Sequence, residues 1–218
     1  MADVPKTKYS RRGFLKGAGV TAATTVIESA NALARETNEA LHHDRTVGPD
    51  ALHLKLLING HEHSVLIEPR YTLAETLRDT LGLTGTKVVC DRGSCSACTV
   101  WLDKTPALAC MTLAIDVVGR EITTIEGISH GDTMHQVQAA FVKHDAMQCG
   151  FCTPGMVMSC AALLDRNPSP NLNDVKLAVS GNLCRCGTYP KVFAATLDVA
   201  QQRRQTADLV SLVAGREA

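Results

Sequence analysis

Hydrophobic and polar residues alternate along the first half of this chain and then recur at helical spacing along the second half. The alternation runs over residues 52–58 and again over residues 61–67, and this period of two predicts a pair of half-buried strands. An Asn-Gly pair at 59–60 separates the two runs, which is a strong signal for a two-residue hairpin turn. Leucines then recur every fourth residue over 73–81, so we expect a helix packed on that sheet.

Short strands are also expected at 99–102 and 121–125, and beyond them the pattern becomes helical. Four helices are predicted there, at about 134–141, 156–164, 171–179 and 191–202. The expected fold class is therefore α+β, with a sheet-containing domain at 51–126 and a four-helix domain at 127–205.

The first 34 residues differ from the rest of the chain and are typical of an export signal. Residues 10–16 read SRRGFLK and resemble the twin-arginine motif, and a mildly apolar run follows up to Ile27. Residues 32–34 then offer the small residues that a signal peptidase requires. The apolar run falls short of the roughly 20 residues that span a bilayer, so we expect a removable signal at 1–34 and no membrane span. The alternative is a basic arm that precedes an amphipathic helix.

Composition limits the partners that the chain can attract. It has 22 Lys and Arg residues against 22 Asp and Glu residues, so no net charge favours nucleic acid, and no nucleic-acid binding is expected. Residues 35–50 are polar and include a His pair at 42–43, which is typical of a flexible arm more than of a metal site. Residues 206–218 are expected to form a C-terminal tail.

Four cysteines follow the first predicted helix at the spacing of plant-type 2Fe-2S ferredoxins. Cys90, Cys95 and Cys98 form a C-x4-C-x2-C run, and Cys110 follows at a distance. Small residues between the cysteines let backbone N–H groups approach the sulfurs. This spacing favours a 2Fe-2S site over the alternatives, which are structural zinc and disulfide bonds.

A second set of four cysteines lies in the predicted helical half. Cys149 and Cys152 form a C-x-x-C pair, Cys184 and Cys186 form a C-x-C pair, and glycines flank both pairs. Two pairs of thiolates suit an iron-sulfur cluster, and they also suit tetrahedral zinc or a redox disulfide. The two sets account for eight of the nine cysteines, and the ninth, Cys160, is expected to be a buried thiol inside a helix.

The remaining residues form no recognisable catalytic pattern. The sequence contains no catalytic triad, no pair of acid and base carboxylates, no P-loop and no G-x-G-x-x-G motif. His144 and Asp145 are adjacent, but the solvent-facing end of a helix explains them more simply than acid-base chemistry does. We therefore expect the chain to conduct electrons, with no substrate bond made or broken on it.

Both cysteine sets, with the strings QCGFCTPG at 148–155 and CRCGTY at 184–189, resemble the iron-sulfur subunits of the xanthine oxidase family of molybdenum hydroxylases. The similarity covers about residues 51–203 and is strongest with small subunits of periplasmic aldehyde oxidoreductases. Val89, Ser94 and Ser96 depart from the family, which commonly has Gly, Gln and Gly at these positions. The resemblance implies a β-grasp ferredoxin-like domain before the four helices. It also implies two 2Fe-2S clusters, one bound by Cys90, Cys95, Cys98 and Cys110 and the other by Cys149, Cys152, Cys184 and Cys186.

The resemblance further implies partners and a direction for the electrons. A molybdopterin-binding large subunit would oxidise an aldehyde to a carboxylic acid, and the electrons would enter the cluster of the second set, where Gln148 and Cys186 contact the pterin. The cluster of the first set would pass them to FAD on a medium subunit or to a cytochrome. The chain is thus expected to be one subunit of an oxidoreductase complex whose substrate chemistry occurs on a partner chain.

Export and cluster assembly fit together in this interpretation. Cysteine ligands must be reduced when a cluster is built, which the cytosol allows and an oxidising periplasm does not. The twin-arginine route carries folded proteins, so the loaded chain is expected in the periplasm. Other functions stay open: a stand-alone ferredoxin-like electron carrier, the iron-sulfur subunit of a purine or N-heterocycle hydroxylase, or a zinc-stabilised interaction protein.

Overall fold

The computed structural model describes residues 47–129 and 131–214 of the chain. The predicted signal at 1–34 lies outside the described residues, as do residues 35–46 of the predicted arm, with their His pair, and residues 215–218. No helix in the described part is long and apolar enough to cross a membrane.

A five-stranded mixed sheet forms the first half of the described chain. The strands are β1 (Leu52–Ile58), β2 (His61–Ile67), β3 (Thr99–Leu102), β4 (Thr105–Leu108) and β5 (Glu121–Thr123), in the order β2-β1-β5-β3-β4. β1 and β5 are parallel, whereas the other neighbouring strands are antiparallel. Asn59 and Gly60 have positive φ angles of 52° and 79°, as a two-residue hairpin turn requires. The predicted hairpin is confirmed.

One strand, β4, is not predicted by the sequence pattern, and β5 ends earlier than predicted. β4 is an edge strand of four residues and contains Pro106, which lacks the N–H that a central strand needs but is tolerated at an edge. Its residues are exposed or half-buried without alternation, so the period of two is absent. The strand predicted at 121–125 ends at Thr123, and Ile125–Ile128 forms a 3-10 turn.

The helix that packs on the sheet is short and capped at its start. α1 (Leu73–Glu75) continues into a π-helical turn (Thr76–Thr80). The Thr72 hydroxyl accepts a hydrogen bond from the Glu75 N–H, and the Glu75 carboxylate accepts one from the Thr72 N–H, which together form a capping box. The side chains of Leu73 and Leu77 are completely buried. They pack against the sheet in a core that includes Leu54, Leu56, Ile58, Val100 and Ile122.

Four helices build the second half, as predicted. They are α2 (Gln136–Lys143), α3 (Thr153–Arg166), α4 (Leu172–Ala178) and α5 (Tyr189–Ala214). The expected α+β class, with a ferredoxin-like sheet domain before a helical domain, is confirmed. α5 continues past its predicted end at 202 and covers much of the expected tail. Residues 204–209 of this continuation are exposed. The exact boundaries proposed for the two domains and the tail stay predictions.

β3 connects the hydrophobic cores of the two halves because all four of its residues are buried. Val100 and Leu102 face the sheet core, whereas Trp101 belongs to the helical core around α3. The Trp101 indole N–H donates a hydrogen bond to the Met158 carbonyl at 3.0 Å, so the buried ring has no unpaired polar atom. β3 directly follows the first cysteine loop, and its contacts hold α3 against it.

Charged side chains join the end of α2 to the middle of α5. The Lys143 Nζ lies 2.7 Å and the His144 Nε2 lies 2.8 Å from the same carboxylate oxygen of Asp198. The Gln202 amide donates to the other oxygen at 3.0 Å. These partners, Lys143 first, hold the pKa of Asp198 far below its ordinary value, because each one favours the ionised carboxylate.

We expect the Asp198→Asn substitution to lower the free energy of unfolding by about 1 kcal/mol, because an asparagine leaves the Lys143 ammonium without a counter-charge. Denaturant unfolding followed by circular dichroism measures this change. Asp165→Asn is the matched control, since Asp165 has a single 3.5 Å contact with Arg203, and it should cost less than about 0.5 kcal/mol. Equal stability of the two variants would contradict a role for the Asp198 network.

Candidate iron-sulfur centres

The four cysteines of the first set lie together although they come from two segments. The thiols of Cys90 and Cys95 are hydrogen-bonded to each other, and so are those of Cys98 and Cys110. Cys98 directly precedes β3, and Cys110 lies in a 3-10 turn directly after β4. The β3–β4 hairpin therefore returns the distant fourth cysteine to the loop that carries the other three. We call these four side chains and residues 89–98 the first nest.

The loop of the first nest directs backbone N–H groups at one sulfur. The N–H of Ser94 donates to Cys90 Sγ at 3.3 Å. Hydrogen bonds from the backbone, that of Arg92 first, lower the pKa of Cys90 to about 7, because such donors stabilise a thiolate. Cys98 lies deeper, and its burial raises the pKa of that thiol to about 12. The first nest thus places hydrogen-bond donors at the sulfur of Cys90 and shields the sulfur of Cys98 from water.

The second set also converges, as two pairs from two loops. Cys149 and Cys186 share a thiol hydrogen bond, and Cys152 and Cys184 share another. Cys152 is the residue that caps the N-terminus of α3, whereas Cys184 and Cys186 precede the N-terminus of α5. We call these four side chains, with segments 148–153 and 182–188, the second nest. Two long helices therefore start at this nest.

Hydrogen bonds hold the Cys184 segment in place. The Tyr189 hydroxyl accepts from the Cys184 N–H at 2.8 Å and donates to the Asn182 carbonyl at 3.0 Å. The Thr188 hydroxyl lies 3.3 Å from Cys184 Sγ. Burial raises the pKa of Cys184, but hydrogen bonds from Thr188 and Gly187 outweigh it and lower that pKa to about 7. In Cys152, burial dominates and raises the pKa to about 12.

Each nest arranges its thiols two by two. A 2Fe-2S cluster has four cysteine ligands shared between two irons, so it takes thiols as two adjacent pairs. The arrangement of both nests has this form.

Comparison with known proteins identifies the chemistry of both halves. Residues 56–114 match the family described as a 2Fe-2S iron-sulfur cluster binding domain, and residues 124–197 match the family described as a [2Fe-2S] binding domain. The aldehyde oxidoreductase iron-sulfur-binding subunit PaoA of Escherichia coli K12 is 39% identical over 206 residues, which cover 88% of each chain. The chain belongs to the iron-sulfur subunits of the xanthine oxidase family. The predicted family and its two 2Fe-2S domains are confirmed.

Other members of the family are similar over the described part. The nicotine 6-hydroxylase small subunit of Paenarthrobacter nicotinovorans is 43% identical over 153 residues, which cover 70% of this chain and 92% of the relative. The crystal structure of quinoline 2-oxidoreductase from Pseudomonas putida 86 matches with a TM-score of 0.69 at 40% identity, covering 72% of this chain and 98% of that one. Residues 8–27 match the twin-arginine translocation signal, so the predicted export to the periplasm is confirmed.

Two buried hydroxyls test whether the nests fit a cluster. Among the described residues, Thr86 Oγ1 and Thr153 Oγ1 are buried side-chain atoms without a hydrogen-bond partner. Thr153 directly follows Cys152, and Thr86 lies four residues before Cys90. A buried hydroxyl without a partner costs about 1–3 kcal/mol, and cluster sulfurs accept such hydrogen bonds. The donor set of eight thiols fits two 2Fe-2S clusters, and the unpaired Thr153 hydroxyl, next to Cys152 in the chain, is a candidate donor to the second one.

The first nest touches the polypeptide of the second nest directly. The Leu183 N–H donates to the Cys95 carbonyl at 3.0 Å, and the Asn182 side-chain amide donates to the Ser96 carbonyl at 3.0 Å. On the other side, a Cβ added to Gly155 in α3 would lie 2.3 Å from the Ser96 carbonyl oxygen. Only glycine permits this approach. The loop of the first nest is thus held between α3 and the segment that leads to Cys184.

The structure also places the other residues that the sequence singled out. Gln148 and Cys149 are exposed, and Cys149 contacts the half-buried Cys186, so Gln148 lies on the open side of the second nest. Cys160 is completely buried inside α3, its thiol is hydrogen-bonded to Thr196, and it is apart from both thiol groups. Its burial raises the pKa of the thiol to about 12, as expected for a core residue.

The residues that hold the nests together are not evident from the sequence. Gly155 belongs to the QCGFCTPG string, which does not indicate its role, and no motif points to Leu183. Their roles depend on contacts with the first nest, more than 50 residues earlier in the chain. The signal that could have pointed to them is the run of small residues on the first loop, which lets another segment approach closely.

We expect Thr153→Val to make the reduction potential of the second centre more negative by roughly 50 mV. The hydroxyl can donate to a sulfur, and its loss should destabilise the more negative, reduced state. A redox titration monitored by EPR measures the potential of each centre. Thr206→Val on the exposed end of α5 is the control and should change neither potential. An unchanged potential in Thr153→Val, with normal iron content, would show that this hydroxyl does not face the cluster.

Proposed function

We propose that this chain relays electrons within a periplasmic molybdenum-containing aldehyde oxidoreductase. Electrons would leave the molybdopterin on a large partner subunit, cross the two 2Fe-2S clusters and reach FAD on another subunit or a cytochrome. The 39% identity with an aldehyde oxidoreductase iron-sulfur-binding subunit over 88% of both chains supports the substrate class. The 43% identity with a nicotine 6-hydroxylase subunit favours an N-heterocycle hydroxylase as the second candidate.

The eight nest cysteines are the proposed ligands. The two thiol contacts in the first nest suggest that Cys90 and Cys95 bind one iron of its cluster and that Cys98 and Cys110 bind the other. By the same reasoning in the second nest, Cys149 pairs with Cys186 and Cys152 pairs with Cys184. When bound, each cluster accepts and releases one electron at a time. The chain itself supplies the thiolates, the N–H donors and the burial that set its potential.

The exposure of the two nests supports the proposed direction of the relay. Cys149 is exposed in the second nest, whereas Cys95, Cys98 and Cys110 of the first nest are at most 7% exposed. The open nest is the one that a cofactor on another subunit can approach. Gln148 and Cys186 lie on this open side, which supports their proposed contact with the pterin.

One hydrogen bond carries the proposal of a relay between the nests. Cys95 belongs to the first nest, and its carbonyl accepts the N–H of Leu183 at 3.0 Å. Leu183 is bonded directly to Cys184 of the second nest. A path between ligands of the two clusters therefore crosses one cysteine backbone, one hydrogen bond and one peptide unit. This connection favours a single path for electrons through both clusters over two independent metal domains.

We expect Cys184→Ser to remove the second centre and leave the first intact, since each nest has its own four thiols. Iron and acid-labile sulfide analysis should fall from about four irons per chain to about two, and one of the two EPR signals of the reduced protein should disappear. Cys160→Ser is the matched control, because Cys160 lies in the same half but touches neither thiol group. Loss of iron in the Cys160 variant would overturn the ligand assignment.

Co-purification separates a subunit from a free carrier. We expect the mature chain, isolated from the periplasm with an affinity tag, to bring a larger partner that contains molybdenum. Gel filtration and metal analysis of the eluted complex measure this directly. A loaded chain that elutes alone under the same gentle conditions would favour the stand-alone ferredoxin-like carrier. Assay of the intact complex with an aldehyde and with an N-heterocycle then decides between the two substrate classes.

A further inference from the structure

The hydroxyl of Tyr189 lies at the centre of a chain of hydrogen bonds between the two nests. It accepts a hydrogen bond from the Cys184 N–H at 2.8 Å and donates one to the Asn182 carbonyl at 3.0 Å. The Asn182 carbonyl and the Leu183 N–H belong to the same peptide unit, and that N–H donates to the Cys95 carbonyl at 3.0 Å. Three successive hydrogen bonds therefore run from a cysteine of the second nest to a cysteine of the first.

All three hydrogen bonds have the same direction along this chain, from Cys184 towards Cys95. Hydrogen bonds aligned head to tail polarise and strengthen one another. The central position must accept one bond and donate the next, which a hydroxyl group can do. Loss of the Tyr189 hydroxyl would thus remove two of the three bonds and weaken the third.

The packing of the Tyr189 ring keeps this hydroxyl in place. Tyr189 is the first residue of α5 and is half-buried against the helical core. Its ring centroid lies 6.3 Å from that of Phe193, one turn further along the helix. The start of α5 is itself held, because the N–H groups of Lys191 and Val192 both donate to the Thr188 carbonyl, at 3.0 and 3.1 Å. The helix therefore determines where the hydroxyl meets the cysteine segment.

Tyr189 contacts the backbone of the second nest and not a thiol. Both of its hydrogen bonds reach main-chain atoms, whereas the Cys184 thiol is hydrogen-bonded to Thr188 and Gly187. Hydrogen bonds to the sulfurs are among the factors that set the potential of a cluster. The Tyr189 hydroxyl is thus placed to fix the path between the clusters while the potential of each cluster depends on other groups.

We propose that Tyr189 is a positioning residue for electron transfer between the two clusters. Its hydroxyl holds the peptide units on both sides of Leu183, so that the Leu183 N–H stays on the Cys95 carbonyl. The inference rests on the proposed function, in which single electrons pass from one cluster to the other. In that step one cluster loses an electron as the other gains it, whereas Tyr189 keeps its proton and is not oxidised.

The test uses the intact, cluster-loaded complex with the Tyr189→Phe substitution, which removes the hydroxyl and keeps the ring in the helical core. Because two hydrogen bonds are lost, amide hydrogen exchange at residues 182–184 should become about tenfold faster, as mass spectrometry measures. Iron content should equal that of the wild type, since all eight thiols remain. Tyr71→Phe is the matched control, because Tyr71 is also half-buried but packs against the sheet core, and it should leave this exchange unchanged.

Magnetic coupling between the reduced centres distinguishes a role in the path from a purely structural one. After dithionite reduction both centres carry an unpaired electron, and the exchange part of their interaction depends on the bonds that connect them. EPR spectra should show a weaker exchange coupling in Tyr189→Phe than in the wild type and in Tyr71→Phe. Electron transfer between the centres, followed after pulse radiolysis, should be slower in the same variant, with both midpoint potentials unchanged. A residue that only stabilises the fold would alter neither the coupling nor the transfer rate.

Two results would overturn the inference. One is a Tyr189→Phe variant with the exchange coupling and the transfer rate of the wild type. The other is a slower transfer explained by lost iron or by a shifted midpoint potential, because the hydroxyl would then act on a cluster and not on the path.

The wild-type complex keeps the two proposals apart. If no electron passes between its two centres, the proposed function fails. If electrons pass in the wild type and pass equally fast in Tyr189→Phe, only the role of Tyr189 fails.

Discussion

The hydrogen bond from the Leu183 N–H to the Cys95 carbonyl is the contact on which the two-cluster arrangement depends. Each nest has its own four thiols, and this contact joins the backbone of Cys95 in the first nest to the residue that precedes Cys184 in the second. Asn182 and Gly155 hold the same loop from two sides, through an amide that donates to Ser96 and through a missing Cβ. Hydrogen bonds and close packing thus hold the same loop, so movement of either nest would require the loss of both kinds of contact.

Buried strand β3 makes that contact possible. A sheet with one solvated face usually buries alternate residues only, whereas all four residues of β3 are buried. Its two faces serve the two cores, and the hydrogen bond from Trp101 to Met158 fixes α3 on the outer face. β3 begins directly after Cys98 of the first nest, and α3 begins directly after Cys152 of the second nest. The packing of α3 on β3 therefore sets the positions of both nests.

Local sequence patterns predicted most of the fold, because they depend on neighbours in the chain. The Asn59-Gly60 turn, the leucine spacing of α1 and the cysteine spacings all have such local causes. β4 was not predicted because it contains Pro106, and a proline is tolerated in a sheet mainly at an edge strand. A short stretch of sequence does not show which strand lies at the edge. The junction of Cys95 with Leu183 could not be predicted, for a stronger reason. It forms where segments far apart in sequence meet, and no periodicity in the sequence indicates such a meeting.

The contrast between the two nests argues for a chain that works inside an assembly. The first nest buries three of its four cysteines, whereas the second exposes Cys149 and leaves the others half-buried. Phe151 lies between Cys149 and Cys152 with 58% of its surface exposed, and Leu183 is 57% exposed beside Cys184. Such an open centre, flanked by apolar side chains, leaves apolar surface that water hydrates unfavourably. A subunit gains from it, because a partner that covers this side would bury the apolar surface and exclude water from the centre in the same step.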